Sequence, residues 1–192
     1  SLRAADPQGT IARAIPIERV LGCVVYPSAH SLAPGVVQHN SGNRVVVGEP
    51  NHAASERAKA VVQRLGAAGV ETELSADIHR EIWLKLLGNV NFNPVSVLVG
   101  VSTDRLIDEP YIHELFVRVI GEVKAVGVKL GISIDITPEQ RIAITRRLGS
   151  IKTSMLQDLE AGRELEIDAL VGTAVEIAER VGVPAPGLRS IY

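Results

Sequence analysis

From residue 78 to the end of the chain, apolar residues recur every three or four positions, and no stretch alternates convincingly as a strand would. A chain with that rhythm over its second half must fold that half from helices. "EPYIHELFVRVIGEVKAVGVKLG" (109–131) carries Ile112, Leu115, Phe116, Val119, Ile120 and Val123 on one helical face. "TPEQ" (137–140) is a start signal: Thr137 caps, Pro138 suits the first turn, and Gln140 completes a capping box. That helix is expected to run to about Glu160, with Gly162 near its end. "EIDALVGTAVEIAERVG" (166–182) is the last long helix, closed by Gly182 and "PAPG". "DIHREIWLKLLGNV" opens the series, with Asp77 as its N-cap.

The first 77 residues have another rhythm. "RVLGCVVYP" (19–27) is a β-branched run stopped by Pro27. "GVVQHN" (35–40) and "NRVVVGE" (43–49) are separated by "SG", which predicts a hairpin between them. A helix is expected over 52–67, with Ala60, Val61 and Leu65 on one face, and "VETELS" (70–75) reads as a further strand. The expected architecture is an α/β region, residues 1–77, followed by an all-α domain, residues 78–192. The three apolar strands should form a small, largely antiparallel sheet against the 52–67 helix.

Composition narrows the function. At 46% hydrophobic and 22% charged the chain has an ordinary globular balance, which argues against disorder. Its net charge is −2 with both signs interspersed, so no basic stripe supports nucleic-acid binding. No uncharged apolar run is long enough to span a bilayer, and "SLRAADPQGT" lacks the apolar core of a signal peptide. Cys23 is the single cysteine, which excludes an internal disulfide and a thiolate metal cluster. The five histidines form no HxxxH pair, so no zinc site is expected. The expectation is a soluble, cytoplasmic protein without a metal.

Chemistry concentrates in "IWLKLLGNVNFNP" (82–94). Lys85, Asn89 and Asn93 are spaced four and four, which places them along one side of a helix with a drift of about 40° per step. Asn91 falls on another side. Pro94 disfavours helical backbone at Asn93, so the helix is expected to end or kink there. A lone lysine beside apolar residues ordinarily snorkels its charge to water, and asparagine before proline is ordinarily a cap or turn. Spacing alone favours that structural reading. The functional reading is a proton donor and two fork-shaped amides lining a cleft. A buried ammonium has a lowered pKa, and amides offer donors and acceptors to the hydroxyls and carbonyls of a small polar substrate.

A second stretch, "KTSMLQDLEAGRELEID" (152–168), carries Ser154 and Glu166 twelve residues apart. Together "IWLKLLGNVNFNP" and "SMLQDLEAGRELEID" resemble the two signature segments of the ketopantoate reductase family. Their separation and the closing "GVPAPG" fit as well, and "GCVVYPSAHSLAPGVVQHNSGNRVVVGEP" is similar to the later part of that family's nucleotide-binding domain. The resemblance implies NADPH-dependent reduction of a 2-keto acid, 2-dehydropantoate, to the 2-hydroxy acid. It implies that Lys85 protonates the ketone oxygen, that Asn89 and Asn93 bind the substrate's hydroxyl end, and that Ser154 contacts its carboxylate. Glu166 matches the glutamate at the cofactor's nicotinamide end, and Pro27 sits where the family's main chain passes the nicotinamide. Thr103 stands where some members have a substrate-contacting asparagine, and Ile151 where some have another. These departures leave the keto acid itself open.

The implied fold is a remnant of a Rossmann domain followed by a helical bundle like the C-terminal domain of 6-phosphogluconate dehydrogenase. No GxGxxG occurs in the 192 residues, so the NADP(H) phosphate-binding loop is missing from this sequence. The chain is expected to begin after the first strands of the nucleotide-binding domain and to stop slightly short of the family's usual end. It is therefore expected to be inactive alone and to bind NADPH no tighter than roughly millimolar. A sheet cut in this way has a free edge, which implies a homodimer or pairing with the missing N-terminal segment. Two alternatives stand beside the reductase: a non-catalytic helical dimerisation or ligand-binding module, and a family member reducing a different 2-keto acid.

Overall fold

Val45, Val46 and Val47 are consecutive and all buried, and a run apolar on both faces marks a strand covered on both sides, as at the centre of a sheet. In the computed structural model, which describes residues 2–192, they form the centre of β4 (Arg44–Gly48). β1 (Gly22–Val25) pairs with it antiparallel, Val24 facing Val46, and β5 (Glu71–Leu74) pairs parallel on the other side. The sheet order is β1-β4-β5. α2 (Glu56–Ala67) crosses between β4 and β5, with Ser55 accepting from the Ala58 amide as N-cap. Gly22 and Gly48 face each other across the sheet. A β-carbon on either would collide with Ile78, so the glycine pair makes the notch in which Ile78 seats beside Val24 and Val46.

The hairpin expected between residues 35–40 and 43–49 does not form. Instead β2 (Ser28–Ala33) pairs with β3 (Val36–Ser41) in a separate two-stranded sheet, turning at Pro34 and Gly35, whose φ is +77°. The physical reason is the difference between the two runs. "VVQHNS" is exposed throughout, whereas the valines of β4 belong inside a sheet. The expected strand 19–27 is shorter, because Ile17–Arg19 forms a 3-10 turn. The helix expected from 52 begins at Glu56, since His52 adopts φ +63° and Ser55 caps.

Residues 15–82 form this strand unit. The other unit comprises Trp83–Tyr192 together with the N-terminal segment up to Ala14. The long helix α3 (Ile78–Val99) starts in the first and continues into the second. Asp77 caps it by accepting from the Arg80 amide at 3.0 Å. The helix does not end at Asn93 but runs five residues past Pro94. Residues 90–96 are all buried, and packing of that stretch outweighs the roughly 3 kcal/mol cost of an internal proline.

Around α3 stand α4 (Thr103–Asp108), α5 (Pro110–Lys129), α6 (Pro138–Arg146), α7 (Ser154–Glu160), α8 (Thr173–Arg180) and α9 (Pro186–Ile191). α5 is central: Phe116, Val119 and Ile120 are fully buried, and the Phe116 ring lies 4.4 Å from that of Phe92. Trp83 donates from Nε1 to the Val123 carbonyl at 2.9 Å. The Glu122 carboxylate accepts from the Gly187 and Leu188 amides at 3.0 and 2.8 Å, fixing the start of α9. The single helix expected over 137–160 is two, broken where Gly149 takes φ +76°. The helix expected from 166 opens as a π turn, Asp168–Gly172, before α8. The N-terminal segment folds onto this unit, the Ala4 amide donating to Glu176 at 3.0 Å, and ends in the short helix α1 (Thr10–Ala14).

Candidate active site

α3 is helical without interruption from Lys85 to Asn93, so the four-residue spacing does align Lys85, Asn89 and Asn93 along one side. Lys85 and Asn89 are half-buried, and Asn93 is buried. Two amides and an ammonium at the margin of a hydrophobic core are screened less than surface groups and act more strongly on a bound molecule. Asn91 points elsewhere. Its side-chain amide donates to the Leu87 carbonyl at 2.9 Å, and its Oδ1 is buried without a hydrogen-bond donor among the described residues.

Ser154 is the first residue of α7, and a buried hydroxyl pair brings that helix end to α3. Ser96 Oγ lies 2.6 Å from Thr153 Oγ1 and donates to the Asn93 carbonyl at 2.8 Å. Thr153 is itself the cap of α7, accepting from the Leu156 amide at 3.2 Å. Ser154 thus follows directly on a residue anchored one turn beyond Asn93. Ser96 and Thr153 were not among the sequence candidates. The only signal for Thr153 is a hydroxyl residue three places before Leu156, a capping pattern hidden when 137–160 is read as one helix.

The other candidates are placed differently. Thr103 is buried, and its hydroxyl is directed at the Gly149 and Ile151 carbonyls at 3.2 and 3.3 Å, where it braces the break between α6 and α7. Ile151 is exposed. Glu166 is exposed just before the π turn, its carbonyl accepting from the Leu170 amide at 3.0 Å. Pro27 is half-buried between β1 and β2, in the strand unit. An open cleft of about 640 Å³ is lined by Arg3, Asp168, Glu176, Glu179, Arg189 and Tyr192 among others, none of them a sequence candidate. Among the described residues no group of three or more His, Cys, Asp or Glu is placed to hold a metal ion, and no helix is long and apolar enough to cross a membrane.

Residues 77–192 match the family described as ketopantoate reductase PanE/ApbA C terminal. The chain belongs to the ketopantoate reductase family. A 2-dehydropantoate 2-reductase from Mesorhizobium japonicum is 39% identical over 190 residues, 99% of this chain and 58% of that protein. The crystal structure of a candidate ketopantoate reductase from Ralstonia solanacearum MolK2 has a TM-score of 0.94 at 45% identity, covering 99% of this chain and 58% of that one. The 2-dehydropantoate 2-reductase of Methylococcus capsulatus has a TM-score of 0.88 at 29% identity, over 98% and 65% of the two chains. The chain thus spans a little under two thirds of the length of these relatives. A small strand region followed by a helical domain is the fold it shares with them.

Proposed function

We propose that this chain supplies the substrate-binding and proton-donor side of an NADPH-dependent reduction of 2-dehydropantoate to pantoate. The observation that carries this reading is the Lys85–Asn89–Asn93 ladder with α7 fastened to its far end through Ser96 and Thr153. Lys85 donates its proton to the ketone oxygen as the carbon is reduced, and its positive charge stabilises the developing alkoxide. Asn89 and Asn93 hold the hydroxyl end of the substrate, and Ser154 donates to its carboxylate. The burial of α3 around Asn93 restricts water on that side.

A nicotinamide cofactor supplies the hydride in such a reduction. Glu166 and Pro27 are the residues of this chain proposed to face its nicotinamide end. The dinucleotide's phosphates have no cradle among the described residues. The helix following β4 would be the natural candidate, but the start of α2 already holds an anion. Ser55 donates to Glu49, and Glu49 also accepts from Arg57 Nε at 2.6 Å.

Lys85→Ala, made in the protein as produced from its own gene, tests the assignment. NADPH oxidation with 2-dehydropantoate should fall by about 10²- to 10⁴-fold in kcat, with an unchanged melting temperature. Near-normal turnover in a folded variant would leave Lys85 with a packing role only.

A further inference from the structure

Gly88 lies in the interior of α3, one turn from Lys85 and next to Asn89. A glycine there destabilises a helix by roughly 0.5–1 kcal/mol relative to alanine, so a buried one calls for a reason. The reason is on α6. A β-carbon built on Gly88 would overlap the Arg141 guanidinium, with Cζ only 2.6 Å away. The guanidinium therefore lies on the bare backbone of α3. It is held by a 2.9 Å hydrogen bond from Nη1 to the hydroxyl of Thr145, which is buried one turn further along α6. Gly88 is three residues from Lys85, about 4.5 Å along the helix axis. All of these residues lie in the helical unit.

Resting on the reductase reading above, we infer that Arg141 is the charged anchor for the carboxylate of the 2-keto acid and the residue that selects acids over neutral ketones. In a 2-keto acid the carboxylate carbon is bonded directly to the ketone carbon. The group that holds the carboxylate must therefore stand beside the group that protonates the ketone oxygen. Ser154 offers a neutral hydroxyl, which cannot compensate a carboxylate's charge at a half-buried face. A guanidinium presents a planar fork that matches a carboxylate, and Thr145 fixes its orientation from the helix that carries it. The missing side chain at Gly88 is what lets that fork come down to the ladder.

The test compares 2-dehydropantoate with its uncharged lactone as substrates for the wild type, Arg141→Gln, Arg141→Lys and Gly88→Ala. Gly88→Ala keeps the charge but displaces the guanidinium, so it reads position independently of any loss of stability from removing the arginine. Arg141→Gln and Gly88→Ala should each lower kcat/KM for the acid about a hundredfold, mainly through KM, while the lactone changes less than threefold. Arg141→Lys should fall between. Undiminished preference for the acid in folded Arg141→Gln would overturn the inference and leave the reductase reading standing. A wild type that reduces neither compound would overturn the reductase reading instead. Calorimetric titration with pantoate then decides on Arg141 by itself: wild-type binding lost in Arg141→Gln supports the anchor, and binding that is equal in both or absent from both refutes it.

Discussion

At the scale of single residues, the site depends on two hydroxyls that touch no substrate in the proposed scheme. Ser96 and Thr153 share one buried hydrogen bond, and each makes a second one. Ser96 donates to the Asn93 carbonyl, and Thr153 caps α7. Removing one partner leaves the other's polar group buried without its bond. Ser96→Ala should therefore cost about 1–3 kcal/mol of stability. Because Ser154 follows Thr153, the same variant should raise KM for the keto acid several-fold with little change in kcat. A thermal melt paired with steady-state kinetics checks both. An unchanged KM in a measurably destabilised protein would show that α7 does not need this bond to present Ser154. The ladder itself was legible in the sequence, since a four-residue spacing specifies a helix face whatever surrounds it. The Ser96–Thr153 bond was not, because it joins positions 57 residues apart and a hydroxyl's partner depends on tertiary packing. Gly88 and Arg141 lie between these cases. An interior helical glycine is a visible irregularity, but an arginine on an amphipathic helix reads as a solvated residue until the fold puts it against that glycine.

At the scale of elements, the same division between local and long-range signals holds. The capping box at Thr137 and Gln140 forms as its four residues specify, with hydrogen bonds of 3.1 and 2.8 Å. The "SG" at 41–42 misleads, because the pairing of β4 is decided by where three buried valines can sit, and that depends on β1 and β5. The junction between β4 and α2 carries a pH signature. The Arg57 guanidinium and then the Ser55 hydroxyl hold the Glu49 carboxyl down at about 2, from an ordinary 4.5. A carboxyl whose pKa is lower in the folded than in the unfolded state stabilises the fold fully above the ordinary value. That contribution fades as pH falls from about 4.5 towards 2. The β4 amides of Val45–Val47, followed by NMR hydrogen exchange, should lose protection across that window, and Arg57→Gln should flatten the dependence. A flat profile in the unaltered protein would mean that Glu49 contributes nothing to acid stability.

At the scale of the whole molecule, the chain builds two hydrophobic cores of unequal size. The strand unit centres on Val24, Val46 and Ile78, while the helical unit gathers Trp83, Leu87, Phe92, Phe116, Val119 and Ile120 with many more. Unequal cores predict unequal stability and a departure from two-state unfolding. Trp83, the single tryptophan, is buried in the helical core and reports on that unit alone. In a urea titration the β4 amide signals should be lost at a lower denaturant concentration than the Trp83 fluorescence change. Coincident transitions would show that the two cores unfold as one. The helical unit is also discontinuous along the chain, for it takes in the residues up to Ala14 and resumes at Trp83. The bond from the Ala4 amide to Glu176 spans 172 positions. On a ribosome the strand unit's residues would emerge together, whereas the N-terminal segment must wait for α8 before it can dock. The segment before the strand unit thus emerges ahead of it but settles after it, and during that interval it is open to a protease or a chaperone.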